Sequence, residues 1–216
     1  MTHISVVGTV HEDTGHANAA ALLEILLRIA PEVIFLEIPS TAFDDYSTGA
    51  RNNLESLAVN RYRKLHHVDL VPVDLPTPDA EFFCNFEEIH KSIRSRSPDY
   101  CRLVSWDRQY VELHGFAYLN SEYSSTLVSD IHEARLGALE EMADQRLAQI
   151  YELWTRTNEL RDKAMLKNIE NYCRRNSFRT GALLVGAAHR KSIVDKSAAH
   201  TGSHSSPIQW DFAGFL

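Results

Sequence analysis

Ile4-Ser5-Val6-Val7-Gly8-Thr9-Val10-His11 opens the chain with an apolar run that stops at a glycine and then delivers an imidazole. The pattern returns near the other end, where Ala182-Leu183-Leu184-Val185 runs into Gly186-Ala187-Ala188-His189. Between them, Val33-Ile34-Phe35-Leu36 runs into Glu37, and Val68-Asp69-Leu70-Val71-Pro72-Val73 runs into Asp74. Short, nearly continuous apolar strands separated by long helical stretches predict an α/β fold. Its mainly parallel central sheet has about four core strands, covered on both faces by helices. Ligands bind such sheets beyond the carboxyl ends of the strands. His11, Glu37, Asp74 and His189 would gather there, and they form a candidate active site.

Working outward, Asp13 or Thr14 is expected to cap a helix that reaches about residue 30, where Pro31 ends it and admits the second strand. A second helix is expected over residues 48–65, and a third over residues 79–93. The aromatic stretch 106–123 reads as mixed helix and loop. Residues 124–175 contain no proline and one glycine, so helix is expected, broken near Gly137 or at 155–158. Residues 191–196 start another helix. The Ser-, His- and Gly-rich stretch 197–207 reads as loop, and Ile208-Gln209-Trp210-Asp211-Phe212 alternates like an edge strand. The expected organisation is one domain over 1–216, with a core of 1–78 and 180–216 and a helical insertion over about 79–179.

The chain has 216 residues, 22 basic against 29 acidic. That balance argues against nucleic acid or an anionic membrane surface as the main partner. No run has the length of a membrane span, and the strand-like start lacks the charged and apolar regions of a secretory signal. Cys84, Cys101 and Cys173 are odd in number and form no Cys-x-x-Cys pair, so neither a disulfide framework nor a zinc knuckle is expected. A cytoplasmic location is the expectation, and no residue pattern fixes an oligomeric state.

Two chemistries suit the residue types. Imidazole and carboxylate together bind divalent Mn, Co, Zn or Fe, and an open coordination position activates water. Alternatively, a carboxylate orients a histidine as general base, with no metal at all. The glycine three residues before each histidine is expected to let the strand turn sharply and the substrate approach the backbone. On the late helix, Arg161, Met165, Asn168 and Tyr172 share one face. From there Arg161 can aim its fork of donors at a carboxylate or a developing oxyanion; the bland alternative pairs it with a local acid such as Asp162 or Glu159.

Gly8-Thr9-Val10-His11, Pro31-Glu32-Val33-Ile34-Phe35-Leu36-Glu37, Leu160-Arg161-Asp162-Lys163-Ala164-Met165 and Val185-Gly186-Ala187-Ala188-His189 together resemble, in order, the signature of the TraB and Tiki group. That group belongs to a superfamily with erythromycin-esterase-like and haem-uptake ChaN-like members. The resemblance implies an α/β core with a helical insertion and catalytic His11, Glu37, Arg161 and His189. It also implies a metal held by His11, Glu37 and His189 with Asp74 assisting, and a small-molecule or peptide substrate cleaved at an amide or ester bond. Tiki members are metal-dependent peptidases; erythromycin-esterase-like members open a lactone with histidine and glutamate. The Gly-Asp-Arg of many TraB-type chains is reduced here to Val73-Asp74-Leu75, which keeps only the acid. A different class of function is a binding module for peptide or haem, for which His66, His67, His90, His132, His200 and His204 are among the spare ligands.

Overall fold

A computed structural model describes residues 1–48, 50–201 and 208–216, with 198–201 described by backbone alone. The described residues form one sheet of five strands, all parallel: β1 (Thr2–Thr9), β2 (Val33–Leu36), β3 (Asp69–Pro72), β4 (Thr180–Gly186) and β5 (Ile208–Asp211). Their order is β3-β2-β4-β1-β5. The expected parallel core and the C-terminal edge strand are both present. β4, the last core strand in sequence, lies between β1 and β2, with Leu184 opposite Val7 on one side and Leu36 on the other. The ends of the three central strands are therefore immediate neighbours.

Successive side chains of a strand point to opposite faces, so each continuous apolar run supplies two cores. Val7, Ile34, Leu36, Ala182 and Leu184 pack under α1 (Ala19–Ile29), α3 (Leu54–Leu65) and the helices of the insertion. Ile4, Val6, Val33, Phe35, Leu183 and Val185 face the other way, onto Met165, Leu166 and Ile169 of α7 (Gln145–Arg175) and Ile193 of α8 (Ala187–Thr201). The C-terminal half of α7 thus belongs to the sheet's own cover.

Capping chemistry sets most boundaries that differ from expectation. α1 starts six residues past Asp13 and five past Thr14, because Asn18 accepts from the N–H groups of Ala20 and Ala21; Asp13 still contributes by accepting from Ala19 N. The helix expected over 48–65 is α3, which starts only at Leu54 because Asn53 and Ser56 form a reciprocal capping box there; a short separate helix, α2 (Phe43–Thr48), precedes it. α4 (Ala80–Arg94) begins after Asp79, as its sequence suggests. The aromatic stretch is helical, divided between α5 (Pro98–Leu119), kinked at Gly115, and α6 (Glu122–Met142). The break in the long helical segment falls at neither expected place. It lies at Ala143, in the left-handed region with φ 52°, and at Asp144, which caps α7 by accepting from Arg146 N and Leu147 N. Residues 197–201, expected as loop, continue α8; the rest of that stretch, 202–207, lies outside the described residues.

β5 pairs with β1 only as far as Ser5 opposite Asp211, which leaves the last residues of β1 without a strand on that side. Asn120, between α5 and α6, takes that place. Its side-chain amide accepts from Gly8 N at 2.7 Å and donates to Gly8 O at 3.2 Å, and Arg190 Nε donates to the same Oδ1 at 3.2 Å. A Cβ on Gly8 would come within 2.9 Å of Arg190 Cδ and 3.0 Å of Leu119 O. The first glycine lies inside β1, so it makes no sharp turn there, and it serves close packing against the strand. Asn120→Ala leaves a buried N–H and a guanidinium donor without their acceptor. It is expected to cost about 1–3 kcal/mol in denaturant unfolding.

Candidate active site

Glu37 leaves the end of β2 beside the end of β4. Its Oε2 accepts from Gly186 N at 2.6 Å, and a Cβ on Gly186 would lie 3.3 Å from that oxygen. The second glycine therefore lets a carboxylate reach the backbone. The other oxygen, Oε1, accepts from Arg161 Nη2 at 2.7 Å and lies 3.3 Å from His189 Nε2. Asp74, one strand further out, receives Arg161 Nη2 at 2.7 Å and Nε at 3.1 Å. Arg161 Nη1 donates to Asn158 Oδ1 at 3.1 Å and faces His189 Nε2 at 3.3 Å. The five guanidinium N–H groups are accounted for in this way: four meet oxygen acceptors and one faces the imidazole.

His189 is in the first turn of α8, and its Nδ1 is 2.6 Å from Asp162 Oδ1 on α7. Burial lowers the affinity of this ring for a proton, but the Asp162 bond and the charges of Glu37 and Asp162 outweigh it, and the pKa is raised above its ordinary value. When protonated, the ring can donate to Asp162 from Nδ1 and to Glu37 from Nε2.

His11 makes the same kind of pair on the other side of Glu37. Its Nδ1 lies 3.2 Å and 3.3 Å from the two oxygens of Glu55. Glu55 sits in the first turn of α3, where the helix dipole favours a carboxylate. It is fixed by Thr9 Oγ1 at 2.8 Å and Asn53 Nδ2 at 2.8 Å. The His11 side chain is 63% exposed and the Glu55 side chain 11%. The bond from Glu55, assisted by the charges of Glu55 and Glu37 and opposed by burial and Arg51, raises the His11 pKa. With Nδ1 engaged, Nε2 is the nitrogen left for water or substrate. His11, Glu37 and Glu55 line one small cavity together with Tyr46, Arg51 and Asn53.

Of the residues singled out in the sequence, Glu37, Asp74, Arg161 and His189 are brought into one hydrogen-bonded cluster, and His11 shares a cavity with Glu37. Asn168 and Tyr172, on the Arg161 face, reach Val73 O at 2.9 Å and Asp69 Oδ2 at 3.5 Å. Glu55 and Asp162, the two carboxylates that orient the histidines, were not among the expected site residues. In the sequence Asp162 reads only as a local partner for Arg161. No sequence signal marks Glu55, because its contact with His11 spans 44 positions.

Among the described residues, no group of three or more His, Cys, Asp or Glu side chains is arranged to hold a metal ion. A guanidinium already lies where the lone pairs of Glu37, Asp74 and His189 converge. With Arg161 in place, these donors do not fit a divalent cation. Three of the spare histidines have partners away from this site. His90 is bonded to the Tyr100 hydroxyl, and burial, with the charges of Arg135 and Arg94, pushes its pKa down to about 4. His132 Nδ1 meets Tyr151 Oη at 2.5 Å, and His66 stacks on Tyr62. The side chains of His200 and His204 lie outside the described residues. Cys84, Cys101 and Cys173 are free thiols.

These features define an all-parallel α/β protein with paired histidine–carboxylate contacts at the carboxyl edge of its sheet. Neither a family model nor a curated protein matches the chain. Among solved structures it is similar to a mutant of the erythromycin esterase EreC in its open conformation, with 16% identity and a TM-score of 0.38. The match covers 86% of this chain and 60% of that one. No helix among the described residues is long and apolar enough to cross a membrane.

Proposed function

We propose that the chain hydrolyses an ester or amide bond of a small molecule or peptide without a metal, using His11 as general base. The observation that supports this reading best is the His11–Glu55 pair facing Glu37 across a small cavity, while a guanidinium fills the place a metal would need. Glu55 holds the proton of the neutral ring on Nδ1, which leaves the Nε2 lone pair for water. As the water oxygen bonds to the carbonyl carbon, Nε2 takes its proton. When the tetrahedral intermediate collapses, the imidazolium returns that proton to the departing alkoxide or amine, so that acid and alcohol or amine leave in balance.

Arg161 acts here as a positioning residue, since its donors are spent on Glu37, Asp74 and Asn158. Arg51, which lines the cavity and has no ion pair among the described residues, is the cation available to a developing oxyanion. The resemblance of the four ordered motifs to the signature of the TraB and Tiki group lends support to a hydrolytic site.

The test is a screen of p-nitrophenyl esters and aminoacyl anilides, run with and without a chelator, beside elemental analysis of the purified protein. Expected is turnover that the chelator leaves unchanged and no stoichiometric metal. Activity that vanishes with the chelator and returns with Mn, Co or Zn would establish the metal-dependent peptidase of the Tiki type instead. A shifted haem Soret band without turnover on any substrate would establish the binding module.

A further inference from the structure

The cavity beside His11 holds one side chain that the hydrolytic scheme leaves unused. Tyr46, on α2, is 2% exposed, and its hydroxyl is a fully enclosed polar atom with no protein hydrogen-bond partner among the described residues. The residue is fixed in place: its carbonyl accepts from Asn60 Nδ2 at 3.2 Å, and its ring belongs to the main core. A buried hydroxyl without a partner destabilises the fold, so its retention at this spot calls for something that satisfies it. The cavity it lines with His11, Glu37, Arg51 and Glu55 offers about 20 Å³ to a water-sized sphere, room for one water molecule. Besides Tyr46, its lining includes the polar residues His11, Glu37, Arg51, Asn53 and Glu55.

We propose that this cavity is a single-water site and that Tyr46 is the residue that orients its water for attack. The inference rests on the hydrolytic reading given above. The water accepts a hydrogen bond from Tyr46 Oη and donates to His11 Nε2 and to a carboxylate oxygen of Glu37. Three of its four tetrahedral positions are then committed, and the remaining lone pair is the nucleophile. Burial, reinforced by the nearby Glu55 carboxylate, pushes the Tyr46 pKa well above its ordinary value, so the hydroxyl stays a donor throughout the working pH range. Phenylalanine in this position would fill the same core space and lose only the donor.

The test is Tyr46→Phe, read in three ways. Thermal unfolding should be unchanged or occur at higher temperature, because an unpartnered hydroxyl is removed. On the best substrate of the screen, kcat should fall by roughly tenfold to a hundredfold with KM little changed, the signature of a misplaced nucleophile. A high-resolution crystal structure of the wild type should show an ordered water within hydrogen-bond distance of Tyr46 Oη and of His11 or Glu37, and the variant should lose it. Wild-type kcat in the variant, or no water at Tyr46 Oη in wild-type crystals, would overturn the proposal. The crystallographic result does not depend on turnover. A water present in wild type and lost in the variant, with no hydrolysis by either, would keep the water site and remove the hydrolytic reading.

Discussion

Replacing His11 with asparagine lowers turnover by roughly a hundredfold to ten-thousandfold, the range that a positioned general base contributes, and leaves thermal unfolding close to wild type. The two outcomes separate because the His11 side chain is mostly exposed and its ring bonds to Glu55 at the surface of the cavity, so little packing is lost with it. Glu55→Gln supplies the companion pH measurement. The base must be neutral to act, so activity falls as pH drops through the His11 pKa. That pKa is raised, chiefly by the bond from Glu55, which places the acid limb of kcat/KM above the ordinary imidazole value of about 6.5. Removing the carboxylate's charge should move this limb to lower pH, while the rate at the plateau falls because the ring tautomer is no longer held. An acid limb that stays where it is in Glu55→Gln would show that His11 is not the titrating base.

The largest stability effect is expected at Arg161. Arg161→Met removes the guanidinium from between Glu37 and Asp74, whose side chains are 10% and 4% exposed, and leaves two carboxylates facing each other with no cation between them. Breaking a buried pair from one side costs about 3–5 kcal/mol, measured as a lower denaturant midpoint. Arg161→Lys keeps the charge but has three donors on one nitrogen where the fork has five spread over three. It cannot span Glu37, Asp74 and Asn158 at once. It is expected to unfold between wild type and the methionine variant and to lose turnover through displacement of Glu37. A lysine variant that matches wild type in both unfolding and turnover would remove Arg161 from the site.

Glu37 and Arg161 show how far the residues could be read in one dimension. Glu37 ends a continuous apolar run, and Arg161 shares a helical face with the buried Met165, so both were legible from periodicity and from the ordered motifs. Their joining was not. It depends on β4 lying between β1 and β2, an order that places Gly186 N against the Glu37 carboxylate. Asp162 directly follows Arg161 in sequence, yet the two point to different partners, because neighbours on a helix are turned about 100° apart: Arg161 reaches the acidic strand ends and Asp162 reaches His189. The helix break at Ala143 escaped reading because an alanine in the left-handed region has no compositional mark, and the Asp144 cap after it resembles any surface acid.

By itself the sequence determined that the core strands are parallel, with β1, β2 and β4 buried on both faces, and that two glycine-led histidines, a glutamate and an aspartate stand at the carboxyl ends. Those are local properties, set by apolar runs and by the residues that stop them. Only the tertiary structure decided which carboxylate each histidine meets, that a guanidinium rather than an open space lies among Glu37, Asp74 and His189, and that Gly8 makes room for Asn120 and Arg190. The hydrogen bonds behind them join residues 27 to 124 positions apart. Their geometry follows from strand order and helix packing, which no single segment of the chain encodes.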